Sequence, residues 1–95
     1  MSPSDTIATP IYGQGVKVAY TATAGTTTAL PRECTAVRLM STTDCFARVG
    51  LSPTAVADVD LYLAAFVYEY VTCQPNSKVS AVQVSGAGTI YAMPI

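Results

Sequence analysis

The side chains best suited to chemistry in this 95-residue chain are two neighbouring carboxylates. Asp58 and Asp60 are two positions apart, so in a strand both would lie on one face, as a general acid–base pair requires. They fall, however, in a polar loop that begins at Pro53, with no third ligand beside them. The chain also lacks histidine, the commonest general base and metal ligand. We therefore interpret both aspartates as solvated loop residues and predict no enzymatic activity, no metal site and no cofactor.

Three cysteines and a short glycine motif are the other candidates for chemistry. Cys34, Cys45 and Cys73 form no CxxC pair, and their odd number fits neither a disulfide framework nor a zinc site. No histidine or helix N-terminus is expected near them to activate a nucleophile. Gly13 and Gly15 lack the third glycine and the following helix of a dinucleotide-binding motif. The sequence thus predicts three free thiols that fill a core, synthesis in a reducing cytoplasm, and a simple bend at the glycines.

Aromatic residues cluster in one segment and suggest recognition. Four of them fall within nine positions: Tyr62, Phe66, Tyr68 and Tyr70. Tyrosine offers a large rigid surface with one polar tip, which suits a contact platform. Cross-strand packing inside a sheet would explain the same residues equally well, so both interpretations stay open at this point. Glu69, which lies among them, needs a basic partner if it is buried and faces solvent if its strand is at an edge.

The elements that position these residues are organised around residues 36–52. Apolar and polar residues alternate on both sides of residues 42–44, which predicts two strands joined as a hairpin. Arg38 and Arg48 lie on this hairpin, where either could pair with Glu69 or bind a partner. Similar short runs recur along the chain and predict seven or eight strands without a helix. A spacing of about ten residues per strand is typical of an antiparallel sandwich or barrel.

The composition indicates a single domain with much of its surface in contact with partners. Charged residues make up 12% of the chain, against about 25% in typical soluble domains, and the mean hydropathy is +0.38. The five basic residues are dispersed, which argues against a nucleic-acid partner. No apolar run reaches the ~18 residues that a membrane span needs. The N-terminus does not resemble a signal peptide, so we expect no membrane partner.

Residues 1–15 are predicted to form an extended arm ahead of one domain at residues 16–95. Prolines and glycines interrupt the arm, and it has no strand periodicity. Three apolar residues in it, Ile7, Ile11 and Tyr12, are expected to dock on a neighbouring subunit or a larger assembly. The other residues expected at an interface are Arg38, Arg48, Tyr62, Phe66, Tyr68 and Tyr70.

Three stretches of the chain resemble a group of small bacteriophage virion proteins of the head-decoration, or cement, type. They are TALPRECTAVRLMSTTDCFARVGLSPTA, LAAFVYEYVTCQPNSKVSAVQV and the closing SGAGTIYAM, and the match runs from about Val16 to Ile95. These are structural corners and strands, with no catalytic or metal-binding residues among them. The resemblance implies a compact antiparallel β-sandwich, jelly-roll-like, of seven to eight short strands with an extended N-terminal arm.

The resemblance also implies a function. The protein would be a structural virion protein that binds the outer surface of the head, contacts the major capsid protein and stabilises the head as a homo-oligomer, with a trimer favoured over a dimer. It would be synthesised in the host cytoplasm and end on the capsid surface of the virion. The alternative is a β-sandwich recognition module, or a tail or fibre-base component, that binds a host surface or a carbohydrate. The absence of tryptophan disfavours the carbohydrate-binding alternative.

Overall fold

All regular structure in the described part of the chain is β-strand. The computed structural model describes residues 10–95. Within this range the strands are, in chain order, β1 (Val16–Tyr20), β2 (Gly25–Thr26), β3 (Ala36–Ser41), β4 (Cys45–Gly50), β5 (Leu61–Leu63), β6 (Glu69–Thr72), β7 (Lys78–Gln83) and β8 (Gly88–Pro94). The prediction of a β protein without helix is confirmed for these residues.

The strands form two four-stranded antiparallel sheets. The first sheet has the order β1-β8-β3-β6, and the second sheet has the order β2-β7-β4-β5. β1 pairs with β8, β2 with β7, β3 with β6 and β4 with β5. This nested pairing is that of one long hairpin, with its tip at β4 and β5, wound so that successive pairs alternate between the sheets. It is the topology of a jelly roll, so the predicted jelly-roll-like β-sandwich is confirmed.

The predicted hairpin at residues 36–52 is wrong, although both of its strands are present. β3 pairs with β8 and β6 in the first sheet, whereas β4 pairs with β7 and β5 in the second. Residues 42–44 therefore carry the chain from one sheet to the other as an arch. Alternation of apolar residues indicates which side of a strand faces the core, but not which strand lies beside it. A short polar loop fits either connection, so the sequence pattern did not distinguish them.

Polar contacts hold this arch against the start of β8 and the end of β1. The Tyr20 hydroxyl donates to the Thr43 carbonyl at 2.9 Å, and the Ser41 hydroxyl donates to the same oxygen at 2.8 Å. The Thr42 N–H donates to the Thr89 carbonyl at 3.0 Å, and the Thr89 N–H returns a bond to Thr42 Oγ1 at 3.0 Å. Each such bond contributes about 1 kcal/mol net. The arch is therefore an ordered part of the sandwich.

The core lies between the two sheets and is built from alternate residues of the strands. Its largest fully buried apolar side chains are Tyr20, Leu30, Val37, Leu39, Leu63, Val79 and Ile90. Cys34 and Cys45 are buried with them as thiols, and Cys73 packs against the same core. Burial raises the pKa of the Cys45 thiol, so this side chain stays protonated and behaves as a small apolar residue. All three cysteines are free thiols in the structure; Cys34 and Cys45 lie in the core as predicted, whereas Cys73 is half-buried beside it.

Candidate interaction surface

The first sheet presents a connected group of large side chains on the side that faces away from the core. In β3 and β8 the residues that alternate with buried ones point outward, because successive strand residues face opposite sides. The pairing of β1 and β6 with these strands adds two more residues. We call this group the outer face; it consists of Lys17, Arg38, Met40, Tyr70, Tyr91 and Met93.

The strand register arranges the outer face in two rows that cross the sheet. In the first row Tyr91 lies between Lys17 on β1 and Met40 on β3. In the second row Arg38 lies between Met93 on β8 and Tyr70 on β6. Directly paired residues on one face have Cβ atoms about 4.5–5.5 Å apart. The six side chains therefore form one continuous surface and not scattered exposed residues.

A shallow cleft runs between the two rows. Its volume is about 450 Å³, and five of the outer-face residues line it, all except Tyr70. A smaller hollow of about 50 Å³ lies between Tyr70, Arg38 and Met93. Both charged residues of the outer face, Lys17 and Arg38, are positive. The surface is thus mainly aromatic and thioether in character, with two cations and no carboxylate among its six residues.

Arg38 is held in place by a neighbouring aromatic ring. Its guanidinium carbon lies 4.4 Å from the centroid of the Tyr68 ring, a cation–π contact. Tyr68 and Tyr70 are 53% and 52% exposed, so both rings extend the outer face towards its edge at β6. Three of the residues predicted at an interface, Arg38, Tyr68 and Tyr70, are therefore brought together. Phe66 is 66% exposed, and its N–H donates to the carbonyl of Ser41 at the end of β3.

The opposite side of the sandwich is different because a loop covers part of it. Residues 51–60 cross the outside of the second sheet. The Ala55 N–H donates to the hydroxyl of Ser80 at 2.9 Å, and the Thr26 hydroxyl donates to the carbonyl of Pro53 at 3.4 Å. Ser80, which would otherwise face solvent, is fully buried as a result. Part of the outward side of the second sheet is thus covered by the chain's own 51–60 loop.

Arg48 and Tyr62 lie on this second sheet, away from Arg38. Arg48 forms an ion pair with Asp60 at 2.8 Å and donates a second bond from Nε at 3.0 Å. The Tyr62 hydroxyl donates to Asp44 at 2.8 Å, and its ring packs edge-on against Phe46 with centroids 5.7 Å apart. The polar groups of both side chains already have partners within the chain. The structure therefore places Arg48 and Tyr62 on a different surface from Arg38, Tyr68 and Tyr70.

The described part of the arm turns back onto its own domain. The Ile11 N–H donates to the carbonyl of Pro94 at 2.8 Å, and the Ile11 side chain packs against the core. Ile11 was expected to dock on a neighbouring subunit, whereas in the structure it contacts β8 and the core of its own domain. Tyr12 is 80% exposed. Ile7 lies outside the described residues.

The acidic residues with predicted roles either face solvent or form contacts within the chain. Glu69 is exposed on β6, which is the edge strand of the first sheet, as expected of the solvent-facing alternative. The Asp60 carboxylate accepts the Val56 N–H at 2.7 Å in addition to binding Arg48. It therefore braces the 51–60 loop. Among residues 10–95 no three histidine, cysteine, aspartate or glutamate side chains are grouped as a metal site.

Two carboxylates that brace the second sheet should make stability sensitive to acid. The Ala65 N–H and the Tyr62 hydroxyl lower the pKa of Asp44. Burial acts to raise the pKa of Asp60, but the Val56 N–H and Arg48 outweigh it and lower the pKa overall. A carboxyl with a lowered folded-state pKa stabilises the fold above its unfolded pKa of about 4 and loses this contribution as the pH falls through the folded pKa. The stabilising effect is therefore present at neutral pH and lost in acid below pH ~4.

We expect the melting temperature to fall when the pH is lowered from 7 to 3, and the fall should be small because the Asp44 carboxylate is exposed to solvent. Replacing Asp44→Asn should lower the melting temperature at pH 7 and reduce this acid-dependent fall, because asparagine has no carboxylate that acid can protonate. Asp58→Asn is the matched control in the exposed loop and should leave the acid-dependent fall unchanged. Thermal unfolding followed by circular dichroism at both pH values measures all three proteins. An equal fall for the wild type and Asp44→Asn would contradict the assignment.

Four of the six outer-face residues were not predicted from the sequence. Met40, Tyr91, Met93 and Lys17 received no role, because nothing in a single strand distinguishes an outward methionine from a core one. The signal for three of them was the alternation of outward with inward residues in AVRLM, which contains Met40, and in TIYAM, which contains Tyr91 and Met93. Only the pairing of β3 with β8 shows that these outward residues lie side by side on one surface.

Residues 10–95 contain no helix that is long and apolar enough to cross a membrane. Comparison of the chain with protein-family models, with curated proteins and with solved structures finds no match in any of the three.

Proposed function

We propose that this chain is a structural virion protein that decorates the outer surface of a bacteriophage head and binds the major capsid protein through the outer face. The observation that carries the proposal is the arrangement of aromatic, thioether and cationic side chains in two adjoining rows on the outer face. The second sheet is partly covered by the 51–60 loop. Within residues 10–95 three tyrosine rings on this side of the first sheet are about half exposed: Tyr70 and Tyr91 of the outer face, and Tyr68 at its edge.

The chemistry of the outer face supports a protein partner. Tyrosine, methionine and arginine are the residue types enriched at protein–protein interfaces, whereas lysine and acidic residues are depleted there. Exposed apolar side chains that adjoin one another and are rimmed by polar residues are typical of protein–protein contact sites. A tyrosine or methionine that is buried in a complex contributes through the area removed from water, at about 25 cal/mol per Å². The outer face is thus suited to a stable protein–protein interface.

The charges of the outer face indicate the character of the complementary surface. Lys17 and Arg38 are both cations, and Arg38 is oriented by the Tyr68 ring. A partner with carboxylates opposite these two residues and apolar groups opposite Met40 and Tyr91 would be complementary. A planar guanidinium that is already oriented loses less entropy when it binds a carboxylate. On this proposal the major capsid protein supplies that surface.

Self-association is part of the same proposal. A homo-oligomer, with a trimer favoured over a dimer, would present several outer faces at once to a shell with rotational symmetry. Simultaneous contacts raise the overall affinity by effective concentration without any new type of contact. The low content of charged residues, 12% of the chain, is consistent with subunit contacts in addition to the shell contact. The protein would be made in the host cytoplasm and reside on the virion surface.

A second candidate function is favoured by the cleft on the outer face. Its volume of about 450 Å³ lies within the range of about 300–1,000 Å³ that is usual for small-ligand sites. A recognition module, or a tail or fibre-base component, would use this cleft for a carbohydrate or another host-surface group. Such a module can work as a monomer. A solution mass of one chain together with saturable glycan binding would favour this alternative over head decoration.

Binding to heads prepared without the protein tests the proposal. Purified protein is mixed with such heads, and the bound fraction is measured by sedimentation. We expect saturable binding at a fixed ratio to the major capsid protein. The variant Lys17→Glu reverses one charge on the outer face and should weaken binding about 10-fold.

The matched control for this experiment is Lys78→Glu. It makes the same charge change at the start of β7 in the second sheet and should bind like the wild type. Absence of binding by the wild-type protein, or equal losses for the two variants, would contradict the proposed contact.

A further inference from the structure

Two of the three thiols are close enough to react with each other. The Cys34 and Cys73 sulfur atoms lie 3.1 Å apart, about 1 Å more than the length of a disulfide bond. Cys34 precedes β3 and Cys73 directly follows β6, and these strands are paired. The Cys73 N–H also donates to the carbonyl of Thr35 at 3.0 Å, which holds the backbone at Cys73 next to the backbone that follows Cys34.

We propose that Cys34 and Cys73 form an intramolecular disulfide when the protein meets a low-molecular-weight disulfide such as oxidised glutathione. The proposal rests on the geometry of the pair and is independent of head decoration. Cys45 takes no part, because it is buried on β4 in the second sheet. The three cysteines thus divide into a reactive pair and an inert core thiol.

Access to the pair comes from one side. Cys73 is half-buried and lines a cleft of about 520 Å³, together with Val49, Thr72 and Gln74. Cys34 is only 1% exposed. An oxidant of the size of glutathione can therefore reach Cys73 from the cleft, whereas Cys34 is placed to attack what forms there.

The reaction proceeds by two thiol–disulfide exchanges. The Cys73 thiolate attacks one sulfur of oxidised glutathione, and one glutathione thiolate leaves. The Cys34 thiolate then attacks the Cys73 sulfur of the mixed disulfide, and the second glutathione leaves. The protein loses two protons and two electrons, and one glutathione disulfide becomes two glutathione thiols. Burial and the neighbouring Cys34 raise the pKa of Cys73 to about 12, so the first exchange is slow at neutral pH and accelerates as the pH rises.

The disulfide would join the edge strand of the first sheet to the strand beside it. β6 has one neighbour in the sheet, β3, and carries Tyr70 of the outer face. The crosslink connects positions 39 apart in the chain. Restricting the unfolded chain in this way is expected to raise the melting temperature by on the order of 10 °C. A reducing cytoplasm keeps the pair as thiols, and an extracellular surrounding favours the disulfide.

Peptide mapping of the oxidised protein tests the proposal. The reduced full chain is incubated with oxidised glutathione at pH ~8.5, where the thiolate fraction is larger, then alkylated and digested with trypsin without reduction. Cleavage after arginine and lysine places the cysteines in three different peptides, residues 33–38, 39–48 and 49–78. We expect residues 33–38 to be linked to residues 49–78, and residues 39–48 to carry one alkylated thiol.

Three results would overturn the proposal. They are no loss of thiols after incubation, glutathione retained on Cys73 without a crosslink, and a crosslink that contains residues 39–48. Cys45→Ala should keep the crosslink and the rise in melting temperature. Cys73→Ser should lose both, and because the wild-type peptide map decides the question, poor folding of this variant would not obscure it.

Discussion

Replacing Gly88→Ala is expected to lower the free energy of unfolding by about 3 kcal/mol. A methyl group at this position would lie 2.7 Å from the Tyr20 hydroxyl and 2.8 Å from Thr42 Oγ1, and it would also overlap the Thr43 hydroxyl. Overpacking of a filled site costs about 1–3 kcal/mol. Displacing the Tyr20 hydroxyl from Thr43 also removes hydrogen bonds worth about 1 kcal/mol each. The total is a large share of the stability of a 95-residue domain.

Gly86→Ala is the matched control, two residues away in the same connection. A methyl group there meets no atom within 4 Å, so its stability should stay within about 0.5 kcal/mol of the wild type. Urea unfolding of the three proteins measures the difference. The comparison tests the arch itself, since Gly88 touches Thr42 and Thr43 only because residues 42–44 cross between the sheets. Equal stability of the two variants would show that the arch does not pack against β8 as described.

Replacing Tyr91→Glu is expected to weaken binding to heads by about 100-fold. Tyr91 is at the centre of the first row of the outer face, between Lys17 and Met40. The substitution removes an aromatic contact and places a carboxylate where apolar surface is to be buried, which costs about 2–4 kcal/mol at a central interface residue. Tyr91 is 42% exposed in the described structure, so the domain itself should remain folded.

Leu51→Glu is the control for this prediction. Leu51 is exposed like Tyr91 but lies at the start of the loop that covers the second sheet. It introduces the same charge, and we expect binding within about twofold of the wild type, because a charge outside the contact changes affinity little. Melting temperatures of both variants establish that they are folded. Unchanged binding of a folded Tyr91→Glu would exclude the outer face as the contact.

The sequence was sufficient to predict where the strands lie, but not which strands pair with each other in the sheets. The alternation in AVRLM and CFARVG identifies β3 and β4 with the correct sides inward, because burial of one face requires a period of two. The same alternation is satisfied by a hairpin and by an arch. The choice between them depends on contacts with Tyr20 and Thr89, which are distant in the chain.

The candidate surface was predictable in part for the same reason. Arg38 and Tyr70 come from the neighbouring strands β3 and β6, Tyr68 directly precedes β6, and the three are found together. Tyr62 is close to Tyr68 in sequence but lies on the other sheet, bonded to Asp44. Tyr91 joins the surface from β8, far along the chain. A cluster in sequence therefore locates a surface only where the intervening chain does not cross between the sheets.

The most direct test of the central claim is the orientation of the protein on a head. Electron cryomicroscopy of heads saturated with the protein gives this orientation once the two sheets are resolved. The account predicts that the outer face lies against the major capsid protein and that the 51–60 loop points into solvent. Density in which the 51–60 loop lies against the shell and the outer face is open to solvent would contradict it.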